Sequence, residues 1–332
     1  MDTKYLRVNK ELIIRSHSSA VDFALLKDGK LIELNQEVED NKFSVGDIFV
    51  GKIRKAVPGL NAAFVDVGHE KDGFLHYHDL GPKLPSLVKY IKQISTGKNK
   101  DYLLKQFRYE KDIDKDGNIG DTMSPKQTVL VQVVKEPIST KGPRLSSEIS
   151  LAGRFMVLMP FSDRVSISTK IEDQAEKTRL KKLVQSIRPK GFGLIIRTVA
   201  EGQKVAALDA DIQQLITRWK NLSAKLKQID KYPTKVLSEI NRSSSILRDI
   251  FDDSFTGIHV DDAEMQSEIQ DYIETIAPDK KSIVKLYEHH LPIFEPLRKR
   301  HRSGFSRHLT VHLQCGRSWF LRRQPRRLQG RD

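Results

Sequence analysis

The stretch "SVGDIFVGKIRKAVPGLNAAFVDVGHEKDGFLHYHDL", residues 44–80, decides the fold. It holds three short runs of strand character, residues 47–57, 60–67 and 73–78, parted by turns that carry glycine or proline. Over residues 81–126 the pattern breaks into "GPKLPSLVKYIKQ" and a polar stretch. Strand character returns at "QTVLVQVVKEP" (127–137) and "PRLSSEISL" (143–151). Five strands with a large insertion before the fourth is the layout of a small Greek-key barrel, the OB fold.

Reading outward, residues 11–37 alternate apolar and polar positions around "KDGK", which predicts a β-hairpin. Downstream, "RFMVLMP" and "RVSIST" read as strands, residues 172–187 as a helix, and "KGFGLIIRTVA" (190–200) as a buried strand leaving a turn. Residues 209–229 form a long amphipathic helix pattern, with Ile212, Leu215, Ile216, Trp219, Leu222, Leu226 and Ile229 in register. A helix near 243–251, a strand at 256–260, a helix at 261–276 and a strand at 282–289 follow, so the class is α+β.

The 332 residues suffice for two or three domains. No apolar run is long enough to span a membrane, and the N-terminus does not read as a signal peptide. The single cysteine, Cys315, excludes an internal disulfide framework and a multi-cysteine zinc site. A soluble cytoplasmic protein is expected. The net charge of +14 suggests a polyanionic partner, but it is unevenly placed. Residues 297–332 hold ten arginines and one lysine against one acid, whereas lysine outnumbers arginine upstream.

Chemistry-bearing residues are few. Phe64 and Phe74 sit on consecutive strands of the expected barrel. Outward rings on such a face stack on unpaired bases, and inward rings fill the core; alternation alone leaves both open. Lys135 and Lys141, in the last two strands and their connection, could follow a phosphate backbone. Arg197 and Thr198 end an apolar strand with a planar donor fork and a hydroxyl, a pairing that suits a terminal phosphate, or else an arginine tied to a nearby aspartate. "DIDKDGNIGDTM" (112–123) resembles a calcium loop, but Met123 stands where a bidentate carboxylate is required, so a solvated acidic loop is expected. "HYHD" (76–79) and "EHHLP" (288–292) read as surface histidines.

Taken together, "GKIRKAVPGLNAAFVDVGHEKDGFL", "EISLAGRFMVLMP", "GLIIRTVA" and "KLYEHHLPIF" resemble the ribonuclease E/G family of bacterial endoribonucleases over residues 10–295, and most of all its ribonuclease G branch. The resemblance implies an RNase H-like subdomain from residues 1–40 with 210–290, without catalysis of its own. It implies an S1-type OB domain at 41–150 with the insertion 81–126, and a 5′-phosphate sensor at 151–209. By the same resemblance Phe64 and Phe74 stack on RNA, Lys135 and Lys141 contact RNA, Arg197 and Thr198 hold the 5′-phosphate, and Gly153 and Val157 line that pocket. The substrate class it implies is single-stranded RNA with a 5′-monophosphate end, in rRNA maturation and mRNA decay.

After "LPIFE" the family continues into a DNase I-like domain with an "IDVNSG"-like motif whose aspartate binds magnesium, followed by a zinc link and an oligomerisation domain. None of that text follows here. Magnesium is therefore expected for the full-length family and not for residues of this chain, no catalytic or metal-binding residue is assigned, and oligomerisation is not expected. The segment 297–332 reads as a basic disordered tail from an out-of-frame ending, with a genuine basic arm as the alternative. The functional expectation is the RNA-recognition portion of an endoribonuclease, catalytically incomplete; the rival is a non-enzymatic RNA-binding protein that grips with the OB domain and tail.

Overall fold

The alternating runs that opened the sequence fold into a closed five-stranded barrel. The strands are Ile48–Val57, Ala62–Asp66, Gly73–His76, Thr128–Lys135 and Arg144–Ser146. The first pairs antiparallel with the second, the second with the third, and the fourth with the fifth. The third pairs parallel with the fifth, and Ile48–Val57 closes the ring on Thr128–Lys135. That order is consistent with an OB-type barrel. Ile53, Ala63, Val65, Leu75, Val129, Val131 and Leu145 point inward and form its core.

This computed structural model describes residues 8–17, 20–38, 43–98, 102–239, 242–289 and 293–295. The arginine-rich segment 297–332, with Cys315, and His290 lie outside the described residues. The chain divides into two units, residues 40–252 and residues 1–39 with 253–332.

In the first unit, the insertion is not all polar loop. It holds the helix Leu84–Ser95, whose first turn accommodates Pro85 because the early amides of a helix need no intrahelical partner. Leu84 enters the barrel core, while Leu87, Tyr90, Ile91 and Ile94 enter a second core. That second core lies on a four-stranded sheet in the order Val165–Ile167, Phe192–Ile196, Met156–Pro160, Leu151–Ala152. The helices Gln174–Ile187 and Val205–Leu226 bring Leu180, Val184, Leu208, Ile212, Leu215 and Trp219 to it. The Trp219 indole N–H donates to the Tyr102 carbonyl at 2.9 Å, and Tyr90 Oη lies 2.7 Å from Ser223 Oγ.

The first of these units runs on to residue 252. The long helix spends its apolar face on the second core, and the strand Thr234–Leu237 adds to the barrel beside Ile48–Val57. The acidic loop also packs down: Tyr77 Oη donates to the Asp114 carbonyl, Asp112 pairs with Lys83, and Met123 is buried.

The second unit carries a five-stranded sheet in the order Val284–Leu286, Phe255–Val260, Lys10–Ser16, Ala20–Lys27, Lys30–Val38. Its last two strands are the expected hairpin, turned by Asp28 and Gly29 at φ 49° and 71°, the doubly positive turn that matches strand twist. The helix Ala263–Ile276 links the two parallel strands at its other edge. Among the described residues no helix is long and apolar enough to cross a membrane.

Candidate nucleic-acid interface

The register settles which way the two rings face. Ala63, Val65 and Leu75 are fully buried, so the alternate positions Phe64 and Phe74 stand on the outside of the barrel, half-buried. They are direct cross-strand partners with ring centroids 5.9 Å apart at 74°. The same register line continues on both sides. Lys55 pairs with Phe64, Phe74 with Arg144, and Arg144 with Lys135. The result is one row across five strands: cation, ring, ring, cation, cation.

Two of these residues, Lys55 and Arg144, were missed by sequence reasoning. Lys55 is in phase with the buried Ile53, which would aim it inward, but the pairing slips between them. A second slip, between Val133 and Lys135, does the same for Lys135. Bulges of this kind re-aim one side chain at the rim of a barrel. Lys55 Nζ then lies 4.9 Å from the centre of the Phe64 ring. Arg144 is fixed by Asp79, whose Oδ2 accepts from Nε at 3.0 Å and from Nη2 at 2.9 Å. His76 continues the rings along its strand, 6.4 Å from Phe74, and His78 lies 5.1 Å beyond.

Lys141 is exposed on the turn before Arg144–Ser146, where it exchanges backbone hydrogen bonds with Ile138. Gly142 follows because a Cβ there would strike the Lys71 and Asp72 carbonyls, so the turn lies flat against the approach to Phe74. Among the described residues the Lys135 and Lys141 side chains make no ion pair.

Arg197, Thr198, Gly153 and Val157 gather on the four-stranded sheet. Arg197 leaves the strand Phe192–Ile196, and its Nη1 donates to the Gly153 carbonyl at 2.8 Å. Val157 is half-buried on the next strand, opposite Ile195. Thr198 starts the following turn and its hydroxyl meets Ser168 Oγ at 3.1 Å. Glycine is required at 153, since a Cβ would stand 2.7 Å from both Asp211 carboxylate oxygens. Asp211 accepts the backbone N–H groups of Arg154, Phe155 and Met156 at 2.9, 3.0 and 2.9 Å, which shapes the turn. Burial pushes its carboxyl up from the ordinary aspartate value; those three hydrogen bonds and the charge of Arg197 pull the other way without reversing it.

Sequence spacing also missed the partners of Arg197. Its Nη2 donates to Asp249 Oδ1 at 2.7 Å, and Arg248 Nε donates to the same oxygen at 3.1 Å. Arg248 is paired to Glu239 at 2.8 Å, and Glu239 to Arg218 at 3.4 Å. Burial alone would lower the Arg248 pKa; the charges of Glu239 and Asp249 outweigh it and raise the pKa above the ordinary value. Behind the turn, Arg179 grips Glu176 with Nε and Nη2, both at 2.6 Å, and Glu176 accepts the Gly202 amide at 2.8 Å. Hydrogen bonding to Arg179 is the main reason that the Glu176 carboxyl is lowered to about 2.

The two assemblies suit a ligand with unpaired bases and phosphates. Among the described residues no group of three or more His, Cys, Asp or Glu side chains is placed to hold a metal ion.

The sequence of the chain matches that of the ribonuclease E/G family over residues 150–321, a span that includes part of the arginine-rich segment. It is 31% identical over 287 residues to ribonuclease G of Haemophilus influenzae, covering 86% of this chain and 54% of that protein. To ribonuclease G of Escherichia coli it is 30% identical over 286 residues, with coverages of 86% and 54%. To ribonuclease E of Nostoc sp. it is 31% identical over 298 residues, covering 87% of this chain and 38% of that protein. The chain belongs to the ribonuclease E/G family. It spans about half the length of the ribonuclease G relatives it matches.

Proposed function

We propose that this chain is the RNA-recognition portion of a ribonuclease G-like endoribonuclease acting on single-stranded RNA. One observation carries the reading: the outward Phe64–Phe74 pair at the centre of a row whose other members, Lys55, Arg144 and Lys135, are all cations. Base–aromatic stacking contributes about 1–3 kcal/mol per base and tolerates any sequence. Cations on either side neutralise the backbone that connects those bases. On this reading the barrel is the S1-type OB domain, with Lys141 near the RNA as the strand leaves Phe74.

The pocket of Arg197, Thr198, Gly153 and Val157 then reads as the 5′-monophosphate sensor. Its support is a guanidinium held by a main-chain carbonyl at Gly153, where the Asp211 carboxylate leaves no room for a Cβ. The five-stranded sheet of residues 10–38 and 255–286 is the RNase H-like part, with a scaffolding role. Hydrolysis with magnesium belongs to the DNase I-like domain of the complete enzyme, and the family relationship supports RNA cleavage as its reaction.

The test is binding of the full chain to matched oligoribonucleotides that carry a 5′-monophosphate or a 5′-hydroxyl. Phe64→Ala and Phe74→Ala are each expected to weaken both oligonucleotides by about 1–3 kcal/mol with little change in melting temperature. Arg197→Ala should erase the preference for the phosphorylated end and leave the hydroxyl-ended affinity nearly intact. Unchanged affinity in both folded phenylalanine variants would reject the stacking face. Magnesium-dependent cleavage by this chain alone would show that it carries a hydrolytic centre of its own.

A further inference from the structure

The carboxylate oxygen Asp249 Oδ1 lies where two arginines converge. Arg197 Nη2 and Arg248 Nε both donate to it. Each arginine is also held by a main-chain carbonyl of one turn, Arg197 by Gly153 at 2.8 Å and Arg248 by Ala152 at 3.4 Å. The two guanidiniums are mostly covered, with 22% and 10% of the side chain exposed, whereas Asp249 is 46% exposed. The cations are therefore fixed parts of the fold, and the anion between them is the loosely held member.

Asp249 is also poorly placed by its own helix. It stands in the last turn of Arg242–Ile250, where the helix dipole disfavours negative charge. Among the described residues, the two arginines are what offset that. Release of the carboxylate would leave Arg248 its pair with Glu239 and Arg197 its hydrogen bond to the Gly153 carbonyl, so the freed charge falls mainly on Arg197.

We propose that Asp249 is an internal stand-in for phosphate, a specificity-determining residue that an incoming 5′-phosphate must displace from Arg197 and Arg248. The inference rests on the reading of Arg197 as a phosphate-holding residue. Its chemistry is a matter of charge. An internal phosphodiester carries one negative charge, like the carboxylate it would replace, so the exchange gains nothing. A terminal phosphate carries about 1.5 to 2 negative charges at neutral pH and three acceptor oxygens, enough to engage both arginines at once. The carboxylate thus excludes monoanionic backbone from the cradle and yields to a dianionic end.

The test uses the full chain, Asp249→Asn and Asp249→Ala, with the same pair of 5′-monophosphate and 5′-hydroxyl oligoribonucleotides. Both variants should tighten the phosphorylated oligonucleotide roughly three- to tenfold, in keeping with loss of one partly exposed ion pair. The hydroxyl-ended oligonucleotide should tighten by a smaller factor. The salt dependence of the phosphorylated complex should steepen, since the cradle no longer carries its own counter-charge. Unchanged or weaker binding of the phosphorylated end, in variants that melt like the parent, overturns the proposal and makes Asp249 a positioning residue for Arg197. Arg197→Ala separates the two ideas. If it leaves end preference untouched, the pocket reading itself fails; if it removes the preference while neither Asp249 variant tightens binding, only the stand-in fails.

Discussion

The barrel face and the arginine pocket hold their positive charge in opposite states. Of the four cations assigned to the barrel face, Lys55 rests over a ring, Lys135 and Lys141 have no ion-pair partner among the described residues, and Arg144 is paired to the half-buried Asp79. In the pocket, Arg197, Arg248 and Arg218 each face a carboxylate. An open face gains affinity by releasing mobile counter-ions, so it suits a long polyanion and answers steeply to salt. A paired pocket must exchange one anion for another, so it suits a ligand that differs in charge. On the proposed reading, the first arrangement would grip RNA anywhere and the second would tell an end from the middle.

The contrast is sharpest in folding. Arg248→Ala should destabilise the chain by about 3 kcal/mol, because it leaves Glu239, nearly buried, with Arg218 alone. Chemical denaturation measures this, and a loss below about 1 kcal/mol would show that the pocket network is as dispensable as a surface pair.

Glu176 makes the pocket sensitive to acid. Its carboxyl is lowered from 4.5 to about 2, so it binds its proton more weakly folded than unfolded. Its stabilising effect is fully present above pH 4.5 and is lost as pH falls through about 2. Glu176→Gln should cost about 1 kcal/mol at neutral pH, a modest figure because Arg179 is partly open to water. The gap between variant and parent should close between pH 4.5 and 2. A gap that stays constant over that range would remove the ion pair from the account.

The smallest effect belongs to the open face. Arg144→Ala should leave stability within about 0.5 kcal/mol, since the residue is exposed. RNA affinity should fall by under about 1 kcal/mol at physiological salt, with a shallower salt slope. Loss of folding instead of affinity would mean that the row is structural and the contrast with the pocket false.

How much of this could be read beforehand follows the same division. Period-two alternation located the barrel strands and the outward candidates Phe64 and Phe74, but not their direction, which needed the burial of Ala63, Val65 and Leu75. Lys55 was hidden by a bulge, since a slip of one residue reverses every inference from parity. The helix Leu84–Ser95 was obscured by prolines that read as breakers although one occupies a tolerated first-turn position. Arg248 and Asp249 lie about fifty residues from Arg197, and no local pattern announces a tertiary ion pair. The helix Val205–Leu226 was plain in its periodicity, yet periodicity does not say which sheet receives the apolar face.

The helix Leu84–Ser95 bears on how the chain could be dissected. It is anchored in the barrel core by Leu84 and in the neighbouring core by Leu87, Tyr90, Ile91 and Ile94. A barrel expressed alone would carry one side of that helix bare, a greasy strip with the Tyr90 ring at its middle. A barrel trimmed of the insertion would lose part of its own filling and strip the sheet beside it. What interrupts the strands in the sequence is therefore a dowel shared by two joints, and neither joint survives its withdrawal.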